Sequence, residues 1–234
     1  MRVDAPPANR EHGTGNLEPQ ASSVGAVRSV PCPWTKRAFD IGLAGLGLLI
    51  STPAWALIAL AVKLQDGGPV FYAQERTGQG GQPFRALKFR SMVPNAERGT
   101  GAVQALHNDP RVTAVGRILR AAAMDELPQL WNIFTGDMSF VGPRALRPGE
   151  IETAGSGVVV PIESVPGYGE RCSIRPGLTG IAQIYAARDL PRRQKFRYDR
   201  IYIRRQSLWL DVRLLVLSLW ITLRGTWEVP GRKF

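Results

Sequence analysis

The stretch AFDIGLAGLGLLISTPAWALIALAV, residues 38–62, is apolar except for Asp40 near one end and Ser51-Thr52-Pro53 in the middle. It is long enough to cross a hydrocarbon core and is expected to enter a membrane. The flanking charges bear on its path. Lys36 and Arg37 precede the run, and Lys63, Arg76, Arg85, Lys88 and Arg90 follow it, so both ends carry the cationic mark of a cytoplasmic side. Pro53 removes a helix hydrogen bond and crowds the preceding turn, while the Ser51 and Thr52 hydroxyls stand ready to satisfy freed carbonyls. The expectation is a re-entrant helix, broken at Pro53, that enters and leaves by one leaflet. A kinked spanning helix is the alternative.

Upstream, residues 1–33 are rich in Pro, Gly, Ser and Ala, balance Arg2, Arg10 and Arg28 against Asp4, Glu11 and Glu18, and lack a signal-peptide pattern. They are expected to form a disordered tail. The formal charge of +11 on 234 residues therefore belongs to the body of the chain. Such a body suits nucleic acid, anionic lipid headgroups or nucleotide-sugar diphosphates, and charge alone does not choose among them. Cys32 and Cys172 have no spacing that suits zinc or a redox pair, which argues against a disulfide framework and for a reducing compartment.

Downstream, Val70 to Arg76 and Phe84 to Arg90 are β-capable runs around a Gly-rich turn and predict a hairpin. The turn lacks the Gly-Lys-Ser/Thr ending of a P-loop. Lys88 and Arg90 would share one strand face and aim two cations at one anion. After a short helical stretch containing Arg117 and Arg120 comes Met124-Asp125-Glu126-Leu127-Pro128-Gln129-Leu130-Trp131-Asn132. Leu127, Leu130, Trp131 and Phe134 follow the i, i+3, i+4, i+7 spacing of a helix face, which places Asp125 and Glu126 at the helix start. Residues 136–144 read as turn, short extended piece and turn, ending in Arg144. Residues 150–172 read as loop, and Arg175 to Gln183 as a turn entering a short strand. Arg188 to Arg205 mixes basic and aromatic side chains, as in the headgroup layer, with a solvated basic helix as the alternative. In Leu208 to Leu223, the residues Ser207, Asp211, Ser218 and Thr222 mark a polar stripe, so an amphipathic helix is predicted, on the membrane or packed on the domain.

Taken in order, Lys36-Arg37-Ala38-Phe39-Asp40, the Pro53 break, Lys88-Phe89-Arg90-Ser91-Met92, Asp125-Glu126-Leu127-Pro128-Gln129, Gly136 to Arg144, Arg175-Pro176-Gly177-Leu178-Thr179-Gly180, and Tyr198-Asp199 followed by Ser207 to Asp211 resemble the monotopic phosphoglycosyl transferases, the bacterial sugar transferase family. The resemblance implies an α+β protein. Its parts would be a tail (1–33), a re-entrant membrane helix (34–64), and a compact, mostly helical catalytic domain (65–234) with a short hairpin and interfacial amphipathic helices. It implies transfer of a sugar-1-phosphate from a UDP-sugar to polyprenyl phosphate at the cytoplasmic face of the bacterial inner membrane, releasing UMP and initiating an exopolysaccharide or other surface glycan. By similarity Asp125 is the nucleophile that forms a covalent phosphosugar, with Mg²⁺ held at Asp125 and Glu126. Lys88, Arg90, Arg120, Arg144, Arg175 and Asp199 would bind substrate, and Lys36, Arg37, Ser51 and Pro53 belong to the membrane helix.

Elementary chemistry agrees with those roles. A carboxylate at a helix N-terminus is kept ionised by the dipole, as a nucleophile requires. Two carboxylates beside two phosphates call for a hard divalent cation and for arginines on the phosphoryl oxygens. Membrane lipids are expected partners and nucleic acid is not, while donor sugar and oligomeric state are not readable. Ala121-Ala122-Ala123, Thr52 and Ala145 depart from the usual family pattern without removing a proposed catalytic group. A membrane-tethered basic binding protein, with the acidic pair as a helix cap, and a hydrolase using the same carboxylates are the competing readings.

Overall fold

The apolar run and its flanks form one helix, α1, Trp34–Asp66, in the computed structural model, which describes residues 27–94, 96, 109–153, 159–187 and 190–224. The expected tail up to residue 26, together with Arg188 and Asp189 of the basic stretch, lies outside the described residues. The chain from residue 27 to 33 is docked rather than loose. Val30 N donates to Ser173 O at 2.8 Å, and Gln79 Nε2 donates to Val30 O at 2.7 Å. The helix is not broken at Pro53 but continues through it to Asp66, where Gly67 at φ 69° stops it. Both nearby hydroxyls, Thr52 at 2.8 Å and Ser51 at 3.4 Å, bond the Leu48 carbonyl. Local side-chain bonding of this kind lets a helix carry a proline.

Both ends of α1 are held by the rest of the protein. Near the start, Lys36 Nζ meets Asp211 Oδ2 at 2.7 Å and donates to Val141 O at 3.3 Å, while Tyr202 OH reaches Asp211 Oδ1 at 2.7 Å. Asp40 accepts from Ser139 Oγ and Phe140 N, each at 3.2 Å. Ala44 enters the main core with Leu130, Ile133, Phe140, Tyr202 and Leu214. Near the far end, Ile58 and Val62 pack with Phe89 and Leu119, and Trp55 meets the rings of Phe71 and Phe89. Between these attachments Leu46, Leu49, Ile50, Leu57 and Leu60 are exposed.

The predicted hairpin is present as β1 (Phe71–Thr77) and β2 (Pro83–Phe89), antiparallel with Tyr72 opposite Lys88 and Arg76 opposite Phe84. Directly opposed residues share a face. One face therefore carries Phe71 and Phe89 toward α1, and the other carries Tyr72, Gln74, Arg76 and Lys88. Next come α2 (Ala114–Ala121), capped by Thr113 Oγ1 accepting from Gly116 N at 2.9 Å, and α3 (Gln129–Thr135). Asn132 of α3 clamps the hairpin edge: its Oδ1 accepts from Leu87 N at 2.9 Å and its Nδ2 donates to Arg85 O at 2.8 Å.

Strand β3 (Ser139–Val141) pairs in parallel with β6 (Gly177–Thr179), joining two stretches remote in sequence. The glycines of both motifs permit it. A Cβ on Gly177 would fall 2.0 Å from Gly142 N, and one on Gly180 would fall 2.3 Å from Gly142 O. Residues 150–172 are not simply loop. They contain the antiparallel pair β4 (Ile151–Thr153) and β5 (Val159–Pro161) and the short helix α4 (Tyr168–Arg171), because Ile162, Val165 and Tyr168 bury themselves against Leu146 and Phe196 in a second core. Helix α5 (Ile181–Tyr185) leads to α6 (Arg192–Arg205), whose Phe196, Asp199 and Tyr202 face inward.

The last helix, α7 (Leu208–Arg224), inverts the usual amphipathic arrangement. Its polar stripe faces the protein: Asp211 is fully buried on Lys36, and Ser218 Oγ donates to Thr179 Oγ1 at 2.9 Å. Leu208, Trp209, Val216, Leu219, Trp220 and Leu223 are left exposed.

Candidate active site

The acidic pair sits in a single 3₁₀ turn, Met124–Glu126, between α2 and α3, and not in the first turn of an α-helix. Leu127 and Pro128 intervene, α3 begins at Gln129, and no side chain caps it. Ala123, at φ 53°, turns the chain into this position; a left-handed non-glycine residue costs on the order of 1 kcal/mol. The predicted apolar face also splits. Leu130 is buried with Ile133, whereas Trp131 and Phe134 stack on each other 5.9 Å apart on the exposed side, with Phe134 seated over Gly45 of α1.

Asp125 is buried and Glu126 half-buried, and both line a cleft of about 2450 Å³. Burial pushes the Asp125 carboxyl above its ordinary pKa. The Lys88 cation opposes this shift, Glu126 adds to it, and Arg120 opposes it more weakly. Desolvation, not the expected helix dipole, therefore sets the direction of the shift. Glu126 behaves oppositely: burial raises it, but Lys88, which donates to its Oε1, and the Arg144 and Arg76 charges overcome that and hold it down to about 2. One carboxylate is thereby favoured as an anion, while burial disfavours the charge of its neighbour.

Lys88 and Arg90 line the same cleft but do not converge on one anion. Arg90 lies beyond the end of β2 and pairs with Asp66 at the end of α1, leaving its Nε and Nη1 buried without a hydrogen bond. Arg120 and Arg144 also line the cleft, both exposed. Arg175 does not. Its guanidinium lies near Gly136 at the α3 C-terminus, where Arg37 donates to the Ile133 and Phe134 carbonyls at 2.7 Å each. Asp199 borders the cleft but is engaged by Arg171, with Nε 3.1 Å from its Oδ2. Arg171 in turn donates to the backbone carbonyl of Arg144, which links Asp199 to the cleft wall through Arg171.

Arg76 also lines the cleft, at a position that no motif singles out. Burial and the neighbouring Arg144 and Arg147 charges lower its pKa to about 10, and it donates to Ala145 O at 3.0 Å. The strand alternation that places Lys88 on the cleft face also places Tyr72, Gln74 and Arg76 there. Arginines crowded enough to disfavour one another's charge form a natural seat for phosphates.

Because burial raises Asp125 and Lys88 opposes the shift, the acid limb of the pH–rate profile is expected above the ordinary carboxylate range. Lys88→Met is expected to move it higher still. A limb left in place by Lys88→Met would remove Asp125 as the titrating group.

Among the described residues no cluster of three or more His, Cys, Asp and Glu side chains could hold a metal. The Asp125–Glu126 pair nevertheless fits Mg²⁺, which is commonly held by one or two carboxylates and completes its shell with substrate phosphates and water.

The family model described as Bacterial sugar transferase matches residues 32–225. The exopolysaccharide production protein ExoY of Rhizobium meliloti is 40% identical over 203 residues, which cover 81% of this chain and 85% of that protein. A UDP-glucose:undecaprenyl-phosphate glucose-1-phosphate transferase of Caulobacter vibrioides is 40% identical over 200 residues, 83% of this chain and 72% of its own length. The Escherichia coli protein of the same name is 42% identical over 189 residues, 79% of this chain but 39% of the longer relative.

Proposed function

The chain belongs to the bacterial sugar transferase family and is an enzyme of the phosphoglycosyl transferase type; from that premise we propose that it transfers a sugar-1-phosphate from a UDP-sugar to undecaprenyl phosphate through a phosphosugar ester on Asp125, as the first step of an exopolysaccharide. The observation that carries the reading is the buried Asp125 beside a Glu126 held ionised by Lys88, on a cleft wall shared with Arg76, Arg120 and Arg144.

An Asp125 carboxylate oxygen attacks the sugar-bearing phosphorus. The bond from that phosphorus to the bridging oxygen breaks, and its electron pair leaves with UMP. An oxygen of the acceptor phosphate then attacks the same phosphorus and displaces Asp125, which returns as a carboxylate. Arg144, Arg120 and Arg76 hold phosphoryl oxygens, and Lys88 keeps Glu126 oriented and lowers the pKa of Asp125. Mg²⁺ bound by Asp125 and Glu126 would screen the diphosphate charge and ease departure of UMP.

The membrane assignment has independent support. Among the described residues α1 is the one helix long and apolar enough to cross a bilayer, yet charged and polar groups of one domain hold both its ends. That arrangement favours a re-entrant path from the cytoplasmic face of the inner membrane. The exposed Trp131 and Phe134 and the outward apolar face of α7 lie naturally against the same leaflet. Purified protein given UDP-glucose and Mg²⁺ is expected to release no more than a single equivalent of UMP per site without undecaprenyl phosphate, and to turn over repeatedly only while acceptor remains. Continued release without acceptor would identify a hydrolase instead, and silence across a panel of UDP-sugars would defeat the transferase reading.

A further inference from the structure

The chain ahead of α1 is tied to the body of the protein at one junction. Gln79 lies in the turn between β1 and β2, and its Nε2 donates both to Val30 O at 2.7 Å and to Ser173 O at 3.0 Å. Val30 N donates to the same Ser173 carbonyl at 2.8 Å, and Gly80 N donates to Cys172 O at 2.7 Å. Val27 packs against the second core, which holds Tyr168, Cys172 and Phe196. Gly80, at φ 71°, leaves room for this approach, since a Cβ there would fall 2.9 Å from Ser29 Oγ. Segments 27–30, 79–80 and 172–173 thus meet although they are remote in sequence. Two of them run on into the cleft wall. Arg171, next to Cys172, holds Asp199 at 3.1 Å and donates to the Arg144 carbonyl. On the strand that enters the turn, Arg76 donates to Ala145 O at 3.0 Å and Thr77 N to Leu146 O at 2.8 Å.

We infer that residues 27–30 form a strap that sets the affinity of the cleft for the donor diphosphate, with Gln79 as the positioning residue that joins strap, hairpin turn and the backbone next to Arg171. The inference rests on the transferase reading and deepens it. The Arg144 and Arg147 charges disfavour that of Arg76, so these side chains repel one another and their spacing is kept by the backbone that carries them. That backbone is anchored from behind. Segment 144–146 is held by Arg171 and by Arg76 and Thr77, and the bonds of Gln79 and Gly80 to the carbonyls of residues 172 and 173 join those two supports. Releasing the strap takes away one of the two donors on Ser173 O and one of the two acceptors of Gln79, which frees the turn and the end of α4 to shift against each other. The arginines then spread, and a diphosphate that needs them close binds more weakly.

Calorimetric titration of the full chain in detergent with UDP and Mg²⁺ tests the strap. The variants are Gln79→Ala, Val30→Pro, which deletes an N–H at a half-exposed position, the two combined, and Gln82→Ala, an exposed neighbour of the same turn, as control. Kd for UDP is expected to rise about fivefold in each single variant, the size of one lost hydrogen bond. It should rise no further in the combined variant, because either change releases the same strap. KM for UDP-glucose should follow Kd while kcat stays within about twofold. A junction that only supports the fold would instead lower the unfolding temperature and leave Kd in place. That result, an equal rise in Gln82→Ala, or single effects that multiply in the combined variant would overturn the inference. UDP binding that weakens in Gln79→Ala, in a protein that releases no UMP, keeps the strap and sinks the transferase reading, and UMP release with Kd insensitive to both changes does the reverse.

Discussion

Asp125→Asn is expected to lower UMP release by about 10⁴-fold or more while leaving the unfolding temperature at or above that of the parent protein. The loss follows because an amide cannot displace UMP from the sugar-bearing phosphorus, and removal of a covalent nucleophile typically costs that much. The stability half follows from linkage. Burial raises the folded-state pKa of Asp125 above its ordinary value. The stabilisation associated with a raised acid is fully present below the unfolded pKa and is lost as pH rises through the folded one. Ionisation of this carboxyl is therefore disfavoured by burial in the native state, and asparagine removes that charge at nearly constant shape. A variant that loses activity because it unfolds earlier would mean that Asp125 is structural. Full activity in a well-folded variant would remove it as nucleophile.

Lys36→Met is expected to destabilise the protein by about 3–5 kcal/mol, which corresponds to a fall of roughly 10 °C in unfolding temperature. Lys36 is 5% exposed and Asp211 is fully buried, so the substitution leaves an uncompensated carboxylate in the core beneath Val141 and Tyr202. The double variant Lys36→Met/Asp211→Leu, which removes both charges, should recover most of the loss, because replacing a whole buried pair by apolar groups is often neutral. Thermal unfolding in detergent reads both changes. A single variant as stable as the parent would show that water reaches the pair and that α1 is anchored elsewhere, by Asp40 or by the packing of Ala44 on Leu130 and Ile133.

The positions of Lys36 and Asp211 show where sequence reasoning stops. Each is visible as a charge near an apolar helix, but 174 residues separate them and neither the local period nor the flanking composition couples them. Asp125 and Glu126 are legible as an adjacent carboxylate pair in their motif, and the strand face of Lys88 follows from alternation, in register with the observed hairpin. Arg76 lay on the same strand face and was legible by the same rule. The motif points Arg175 to the site, but its guanidinium lies near Gly136 and outside the cleft lining. Asp199 was likewise assigned to substrate, but its carboxylate is taken up by Arg171, a residue that no local pattern singles out.

The sequence by itself determined what is local: an apolar run long enough to enter a bilayer, a hairpin closed by glycines, a carboxylate pair before a helix, and a polar stripe on the last helix. Only the tertiary structure decided which side of each element faces what. It turned the polar stripe of α7 inward onto Lys36 and Thr179, sent Trp131 and Phe134 outward, and raised the pKa of Asp125 where a helix terminus alone would have lowered it. Periodicity and propensity are properties of neighbouring residues. Desolvation and pairing depend on whatever the rest of the chain lays over a group, and that is settled only when distant segments pack.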